Sequence, residues 1–489
     1  MTQGGQGVQG GRGVQGGRGS GRGKSRDPKS RDPKTRDKAT DPARRVALDV
    51  LRAVRRDDAY ANLLLPRLLR ERGLDRRDKA LATELTYGTA RTAGLLDLII
   101  ASAAGRAISE IDGDLLDVLR LGSYQLLRTR IGSHAAVSTS VDLVRAEHGM
   151  GQAGFVNAVL RKVSQRDEQM WIDVVAPSMA DDIVGHLAVT YAHPRWIAEV
   201  FAESLGSIGE LQAALAADDQ RPIVHLVARP GQITAEELAL ISGGEEGRLS
   251  PYCVYLPEGD PGSLDAVRDG FAGVQDEGSQ LVALALTRAD VGEDAGRWLD
   301  LCAGPGGKAA LLGSLADLDG AGLDAVEVSE HRAKLIENIV DGLPVTVHIA
   351  DGRDSGLEPG FDRILVDAPC SGLGSLRRRP EARWRRTPEE VPELVELQTQ
   401  LLTEAMRLVR PGGVVVYSTC SPHPAETTGV VAAVLDAVDG AEQLDARPLV
   451  AGDAVEPASL GSGPHVQLWP HRQDTDAMFM AVLRKPVTH

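Results

Sequence analysis

The chain has 489 residues, 42% of them hydrophobic but only 3% aromatic, with a formal charge of −15. That length holds two to four domains, and the apolar content excludes a largely disordered chain, with cores built mainly from Leu, Val, Ala and Ile. No apolar run approaches the roughly 20 residues of a membrane helix and the polar, Gly-rich N-terminus lacks a signal segment, so a soluble cytoplasmic protein with no membrane partner is expected.

The negative charge is unevenly spread. Residues 1–40 carry ten Lys/Arg against Asp27, Asp32 and Asp37. Their net of +7 leaves −22 for the remaining chain. GGRG and KSRDP/KTRD repeat within this stretch, and nothing in it can bury a core. It is expected to be a disordered basic tail, either an RNA-binding arm or a solubilising one.

From Asp41 to about 170 the pattern is helical. Asp41-Pro42 is an N-cap followed by Pro at the first helical position. Helices are expected over 61–72, 76–92, 95–102, 112–129, 137–147 and 154–166, with turns at Gly73, Gly105, Gly132 and Gly149–Gly151. Residues 171–288 read as a connector and a small α+β domain. An amphipathic helix follows Pro194. RPIVHLVARPG and PYCVYLPEG read as strands, and Thr234 to Glu237 is a capping box. Cys253, inside a strand, reads as a small buried apolar residue.

From 289 to 489, strands near 298–302, 322–328, 345–350, 363–367 and 414–418 alternate with helices. That alternation predicts an α/β domain with a parallel sheet, which binds ligands at the carboxyl ends of its strands. HVQLWPHR and AMFMAVLRK read as a closing antiparallel pair.

Three strand ends carry the chemistry. Cys302-Ala303-Gly304-Pro305-Gly306-Gly307-Lys308 is a Gly-rich loop between strand and helix. It is neither a Walker loop nor GxGxxG. Its glycines admit a ligand to the backbone, the helix N-terminus offers free N–H groups, and Lys308 adds a charge. Glu327 ends the next strand and suits a ribose diol. Asp351 ends the third, within reach of an adenine. An adenosine-bearing ligand without a polyphosphate is implied, and S-adenosylmethionine fits.

Of four cysteines, none in a CxxC pair, three lie in these loops. A zinc site and a disulfide scaffold are disfavoured, no metal is needed, and reactive thiols are suggested. Asp367-Ala-Pro-Cys370 and Thr419-Cys420 each place a thiol just past a strand end. C5 of a pyrimidine is a poor nucleophile. A thiolate added at C6 makes C5 carbanion-like, so that it can take a methyl group, and the thiol then leaves. Asp367 is placed to protonate or hydrogen-bond the ring at N3, which would help the addition. Between the thiols, Arg377, Arg378, Arg379, Arg383, Trp384, Arg385 and Arg386 form a cationic loop that suits RNA phosphates, with Trp384 able to stack on a base.

DLCAGPGGK, DAPCSGLG and STCSPHPAE resemble the three signature motifs of the Nop/Sun family of RNA 5-methylcytosine methyltransferases. DAYANLLLPRLL, AVSTSVDLVR and GFVNAVLRKV resemble the NusB antitermination fold, a helical RNA-binding module. Together they make the chain similar to the RsmB/Sun branch from about Ala47 to the C-terminus. The resemblance implies an all-α NusB-like domain and a Rossmann-like methyltransferase domain that methylates a cytosine of small-subunit (16S) rRNA. It implies that Cys420 attacks C6, that Cys370 assists product release, and that the donor site comprises Cys302–Lys308, Glu327, Asp351 and Asp367. Two departures stand out: Gly304 where the family more often has Ala, and Glu327 where Asp is commoner. A monomer is expected. A methyltransferase of another RNA such as tRNA, and a non-catalytic RNA-binding or assembly factor, are the rivals. The paired thiols argue against the second, since a binding module needs neither.

Overall fold

The computed structural model describes residues 41–451 and 457–487; the basic tail expected over 1–40 lies outside them. The helical domain runs through α1 (Pro42–Arg56), α2 (Ala61–Glu71), α3 (Arg76–Ala104), α4 (Gly113–Arg128), α5 (Ser133–His148) and α6 (Met150–Val163). Asp41 caps α1 by accepting the Arg44 amide, and Pro42 occupies the first turn, where a missing N–H costs nothing. Leu48, Leu96, Ile99, Leu119, Val144 and Leu160 meet in its core. Residues expected as two helices around Gly94 form the single helix α3, which ends where Gly105 turns left-handed at φ 69°. Gly94 does not break it. A Cβ there would lie 2.2 Å from the Trp384 ring, so this glycine admits a neighbour.

Four further helices, α7 (Glu168–Val175), α8 (Ile183–Thr190), α9 (Arg195–Leu205) and α10 (Ile208–Asp218), lead out of the domain. The cluster built on α8 to α10 also takes in Leu373, Leu376, Trp469 and Ala477. These helices therefore abut the loop that follows the Cys370 motif. Next comes an antiparallel four-stranded sheet of β1 (Val224–Ala228), β2 (Glu245–Glu246), β3 (Cys253–Leu256) and β4 (Ala272–Val274), in the order β2-β3-β1-β4. It carries α11 (Ala235–Ser242) and α12 (Asp265–Arg268). The Thr234–Glu237 capping box forms, and Cys253 is buried.

The large domain interleaves α13 (Glu277–Arg288), β5 (Arg297–Asp300), α14 (Gly307–Asp319), β6 (Gly322–Glu327), α15 (Glu330–Ile339), β7 (Val345–Ile349), β8 (Phe361–Asp367), α16 (Ala382–Arg385), α17 (Val391–Leu408), β9 (Val409–Thr419), α18 (Thr428–Ala437), β10 (Glu442–Leu444), α19 (Arg447–Ala451), β11 (Val466–Gln467), α20 (Pro470–Gln473) and β12 (Phe479–Arg484). The strand order is β10-β12-β9-β8-β5-β6-β7. Strands β5 to β9 run parallel, while β12 joins β9 antiparallel and carries β11 and β10.

Successive residues of one strand go to opposite layers. Trp298, Leu365, Val414 and Val416 pack with α13 and α14. Leu299, Ile364, Val366, Val415 and Tyr417 pack with α17 and α18. A strand covered on both faces needs no polar alternation, which is why these segments read as continuous apolar runs. Because β6 and β7 lie on one side of β5 and β8 and β9 on the other, the loops after β5 and β8 diverge and open a crevice at the strand ends.

Candidate functional site

The three motifs meet in that crevice. Asp300 ends β5, and the loop from Leu301 to Gly306 leads into α14. The loop is stitched by Ala303 N to Val326 O (2.9 Å) and Gly306 N to Ala303 O (2.8 Å). Gly306 sits at φ 110°, a conformation that disfavours any side chain. Asp300 is a site residue that the motif reading passed over. It is buried, Oδ1 accepts the Cys302 amide (3.3 Å), and Oδ2 has no partner. Burial, and then the charge of Asp367, push its carboxyl up to about 7. A buried oxygen without a donor, beside a glycine cradle and a helix N-terminus, suits a ligand that carries positive charge. These residues fit S-adenosylmethionine, the cofactor, which supplies a methyl group on a sulfonium sulfur.

Glu327 ends β6. Its Oε1 accepts the Ser329 amide (2.9 Å), and Oε2 lies 3.3 Å from Arg332 Nη2. Arg332 also donates to the Gly304 carbonyl (2.6 Å). The two departures noted above therefore touch. A Cβ on Gly304 would stand 1.9 Å from Glu327 Oε2 and 2.5 Å from Arg332 Nη2. Gly304 makes room for the longer acid. Gly304→Ala is expected to weaken S-adenosylmethionine binding about tenfold, the scale of an overpacked contact. Adding Glu327→Asp should restore most of the loss by retracting the carboxylate. Calorimetry reads both, and unchanged affinity in Gly304→Ala would refute the coupling. Asp351, two residues beyond β7, is gripped by the Arg353 guanidinium (2.6 Å) and amide (2.9 Å), which hold it down at about 2.

On the other side of the crevice, Cys370 and Cys420 face each other with their sulfurs 3.4 Å apart. The sulfurs are unequal. The contact with Cys370 lowers the Cys420 thiol against burial and the charges of Asp367 and Asp476; Arg379 also lowers it. That same bond, with burial and the Cys420 and Glu426 charges, keeps Cys370 well above the ordinary thiol range. Only Cys420 is thus favoured as a thiolate, the reactive form. Cys302 is different: burial and the charges of Asp300, Asp367 and Glu327 raise it far above the usual value. It lies in the Gly-rich loop after β5, where its thiolate is disfavoured.

Asp367 ends β8 between the two halves. Its Oδ2 takes Lys308 Nζ at 2.8 Å, and its Oδ1 accepts Ser418 Oγ at 3.0 Å. Burial pulls Lys308 down, and Asp367 more than offsets it. The Lys308 charge is therefore spent on orienting Asp367.

The cationic loop requires a correction. Arg377 is buried against Asp474, and Arg378 pairs with Asp476 (2.8 Å). Arg383 is wholly buried among the carbonyls of Arg91, Ala192 and Asp218. Trp384 donates Nε1–H to Ala90 O (2.9 Å) and lies against Gly94. Arg385 donates to Val54 O and Ala59 O (both 2.7 Å), and Arg386 to Glu390 (2.8 Å). Arg379 alone of the seven is exposed. The stretch expected to lie open for RNA is a clamp between the helical domain and the catalytic loop. A run of arginines looks the same in sequence whether water or carbonyls solvate it.

Among the described residues no cluster of His, Cys, Asp or Glu is built to hold a metal ion, and no helix is long and apolar enough to cross a membrane.

A parallel sheet with a glycine-rich strand-to-helix loop at the edge where its strands end is the architecture of a Rossmann-like methyltransferase. Residues 287–484 match the family model described as 16S rRNA methyltransferase RsmB/F, and residues 41–165 match the NusB family. A protein of Mycobacterium tuberculosis (strain H37Rv), named as a methyltransferase, is 60% identical over 448 residues, covering 91% of this chain and 97% of that one. Ribosomal RNA small subunit methyltransferase B of Pseudomonas putida (strain KT2440) is 33% identical over 417 residues, covering 82% and 91%. The crystal structure of PH0851 superposes with a TM-score of 0.75 over 91% of this chain and 98% of that one, at 21% identity. The chain belongs to the RsmB/F family of methyltransferases, with an N-terminal NusB domain.

Proposed function

We propose that the protein methylates C5 of a cytosine in small-subunit ribosomal RNA through a covalent bond between Cys420 and C6. The observation that carries this reading is the pair of thiols 3.4 Å apart at the ends of the adjacent strands β8 and β9. A methyl transfer to an amine or a hydroxyl needs neither. Relatives named ribosomal RNA small subunit methyltransferase B support the substrate.

The target base leaves its stack, at a cost of a few kcal/mol. Cys420 Sγ adds to C6, and the ring electrons shift toward C5 and N3. Asp367, held in place by Lys308 and Ser418, serves N3 when it carries a proton, which it donates as electrons shift onto that nitrogen and takes back when the ring is restored. C5 then gains the methyl carbon. Loss of the C5 proton to a base re-forms the ring double bond and breaks the C6–S bond. Cys370, adjacent to the departing sulfur, assists that release. Residues 41–170 serve as an RNA-contacting domain.

The test is transfer of labelled methyl from S-adenosylmethionine to unmodified small-subunit rRNA, followed by nucleoside analysis. Label in 5-methylcytidine is expected. Label in another nucleoside overturns the C5 reading, and label accepted from tRNA but not rRNA overturns the substrate.

A further inference from the structure

Two thiols on separate strand ends stay in contact only if something spans the loops that carry them. Glu426, in the turn after β9, is fully buried. Its Oε1 accepts the Ser371 amide (2.7 Å) and Gln398 Nε2 (3.0 Å). Its Oε2 accepts the hydroxyls of Ser371 and of Ser421, the latter at 2.7 Å. Ser371 directly follows Cys370 and Ser421 directly follows Cys420. The two hydroxyls also touch each other at 3.0 Å. Gln398 donates in addition to Pro369 O (2.9 Å), on the other side of Cys370. Tyr417 OH, from β9, donates to the Glu426 carbonyl (2.7 Å) and fixes the turn from below.

Every hydrogen-bond donor to this carboxylate is neutral: one amide, two hydroxyls and one side-chain amide. A buried carboxylate without a cation is costly, and among the described residues none of the hydrogen bonds to this one comes from residues 302–308. Its four donors come from the segments after β8 and β9 and from α17, so its position serves the junction of the two thiol loops. A carboxylate is the one common side chain that accepts on both atoms and donates on neither. An amide would set its NH₂ group against a hydroxyl or an amide that already donates.

We propose that Glu426 is a positioning residue of the methyl-transfer reaction: a buried carboxylate that bridges the Cys370 and Cys420 loops and holds the two sulfurs in register. The inference rests on the two-thiol reaction proposed above. Register and charge act in the same direction. With the loops tied, the Cys370 and Cys420 sulfurs stay in contact, and the Glu426 charge adds to what raises the Cys370 thiol. Glu426 thereby helps to make the pair unsymmetrical, with one thiol ready to attack and the other still protonated.

The test compares wild type with Glu426→Gln, which keeps the shape and removes the charge and one acceptor. Iodoacetamide labelling, read by peptide mass spectrometry from neutral to mildly alkaline pH, reports which thiol reacts first without using RNA. In wild type Cys420 is expected to react ahead of Cys370. In Glu426→Gln that selectivity should fall about tenfold, equivalent to one unit of thiol pKa difference. In parallel, kcat should fall about 100-fold, the scale of a small misplacement of reacting groups, with KM for RNA and the S-adenosylmethionine Kd unchanged. A folded Glu426→Gln with wild-type selectivity and kcat overturns the proposal. Should Glu426→Gln fail to fold, Ser421→Ala and Ser371→Ala each remove one donor and keep the acid. Reduced selectivity in them supports the bridge, and wild-type selectivity in both overturns it. If wild type transfers nothing to rRNA, the substrate reading fails alone, because the labelling still judges Glu426.

Discussion

Cys420→Ala is expected to lose methyl transfer by on the order of 10⁴-fold or more, as enzymes do when a covalent nucleophile is removed. Its affinity for S-adenosylmethionine should not change, because the donor cradle from Cys302 to Lys308 is built on other strands. Cys370→Ala should fail differently. Cys420 can still add to C6, but the neighbour that assists its departure is gone, so the variant is expected to accumulate protein–RNA adduct. On a denaturing gel this appears as a slow band that needs both RNA and an intact Cys420. An adduct in Cys420→Ala, or full activity in that variant, would exclude the assignment. Reversed behaviour of the two variants would exchange the roles of thiols that lie only 3.4 Å apart.

The second large effect lies far from the sulfurs. Arg383→Ala is expected to destabilise the protein by about 3–5 kcal/mol, the range for removing a buried charged partner. The guanidinium has no exposure and donates to Arg91 O, Ala192 O and Asp218 O at 3.5, 3.0 and 2.9 Å. Burial lowers its pKa to about 10, still above neutrality, so it remains charged there. Ala leaves three buried carbonyls without this donor and a cavity among them. Lys, a point charge without the planar fork, should recover little. Chemical denaturation measures the loss. The exposed Arg379 gives the contrast: Arg379→Ala should stay within about 0.5 kcal/mol of wild type. Equal stability of the Arg383 and Arg379 variants would show that the clamp carries no load.

The clamp has a consequence for function. Gly374 N donates to Cys420 O, and Ala477 N donates to Gly374 O (2.8 and 2.9 Å). The segment held by Arg383, Trp384 and Arg385 is therefore continuous with the segment that braces Cys420. The helical domain supports the catalytic loop mechanically, whatever RNA contact it makes.

Much of this was legible in the chain. Strand, Gly-rich loop and helix follow one another around Cys302, and an apolar run ends at Asp367 and again at Thr419. Those local patterns were sufficient to place the Gly-rich loop and both thiols at one edge of a sheet. The gap expected between 92 and 95 is closed in one continuous helix, because a glycine inside a helix carries no mark of the ring that packs on it. The arginine loop was misread for a similar reason. Glu426 stood within a quoted motif and was passed over, since a lone acid after a strand usually caps a helix.

What the sequence by itself determined is the order of elements and the residues that end each strand. In a parallel sheet every strand delivers its last residues to the same edge, so Asp300, Glu327, Asp367 and Thr419 had to gather there. Tertiary structure alone decided who meets whom across that edge and between domains. The sulfurs of Cys370 and Cys420 are brought together across 50 positions, and Arg383 meets Arg91 across 292. Hydrophobic period reports which face of an element is buried. It says nothing of which carbonyls will surround a guanidinium, or which buried acid will tie two loops, because those partners come from elements whose packing angles no local pattern encodes.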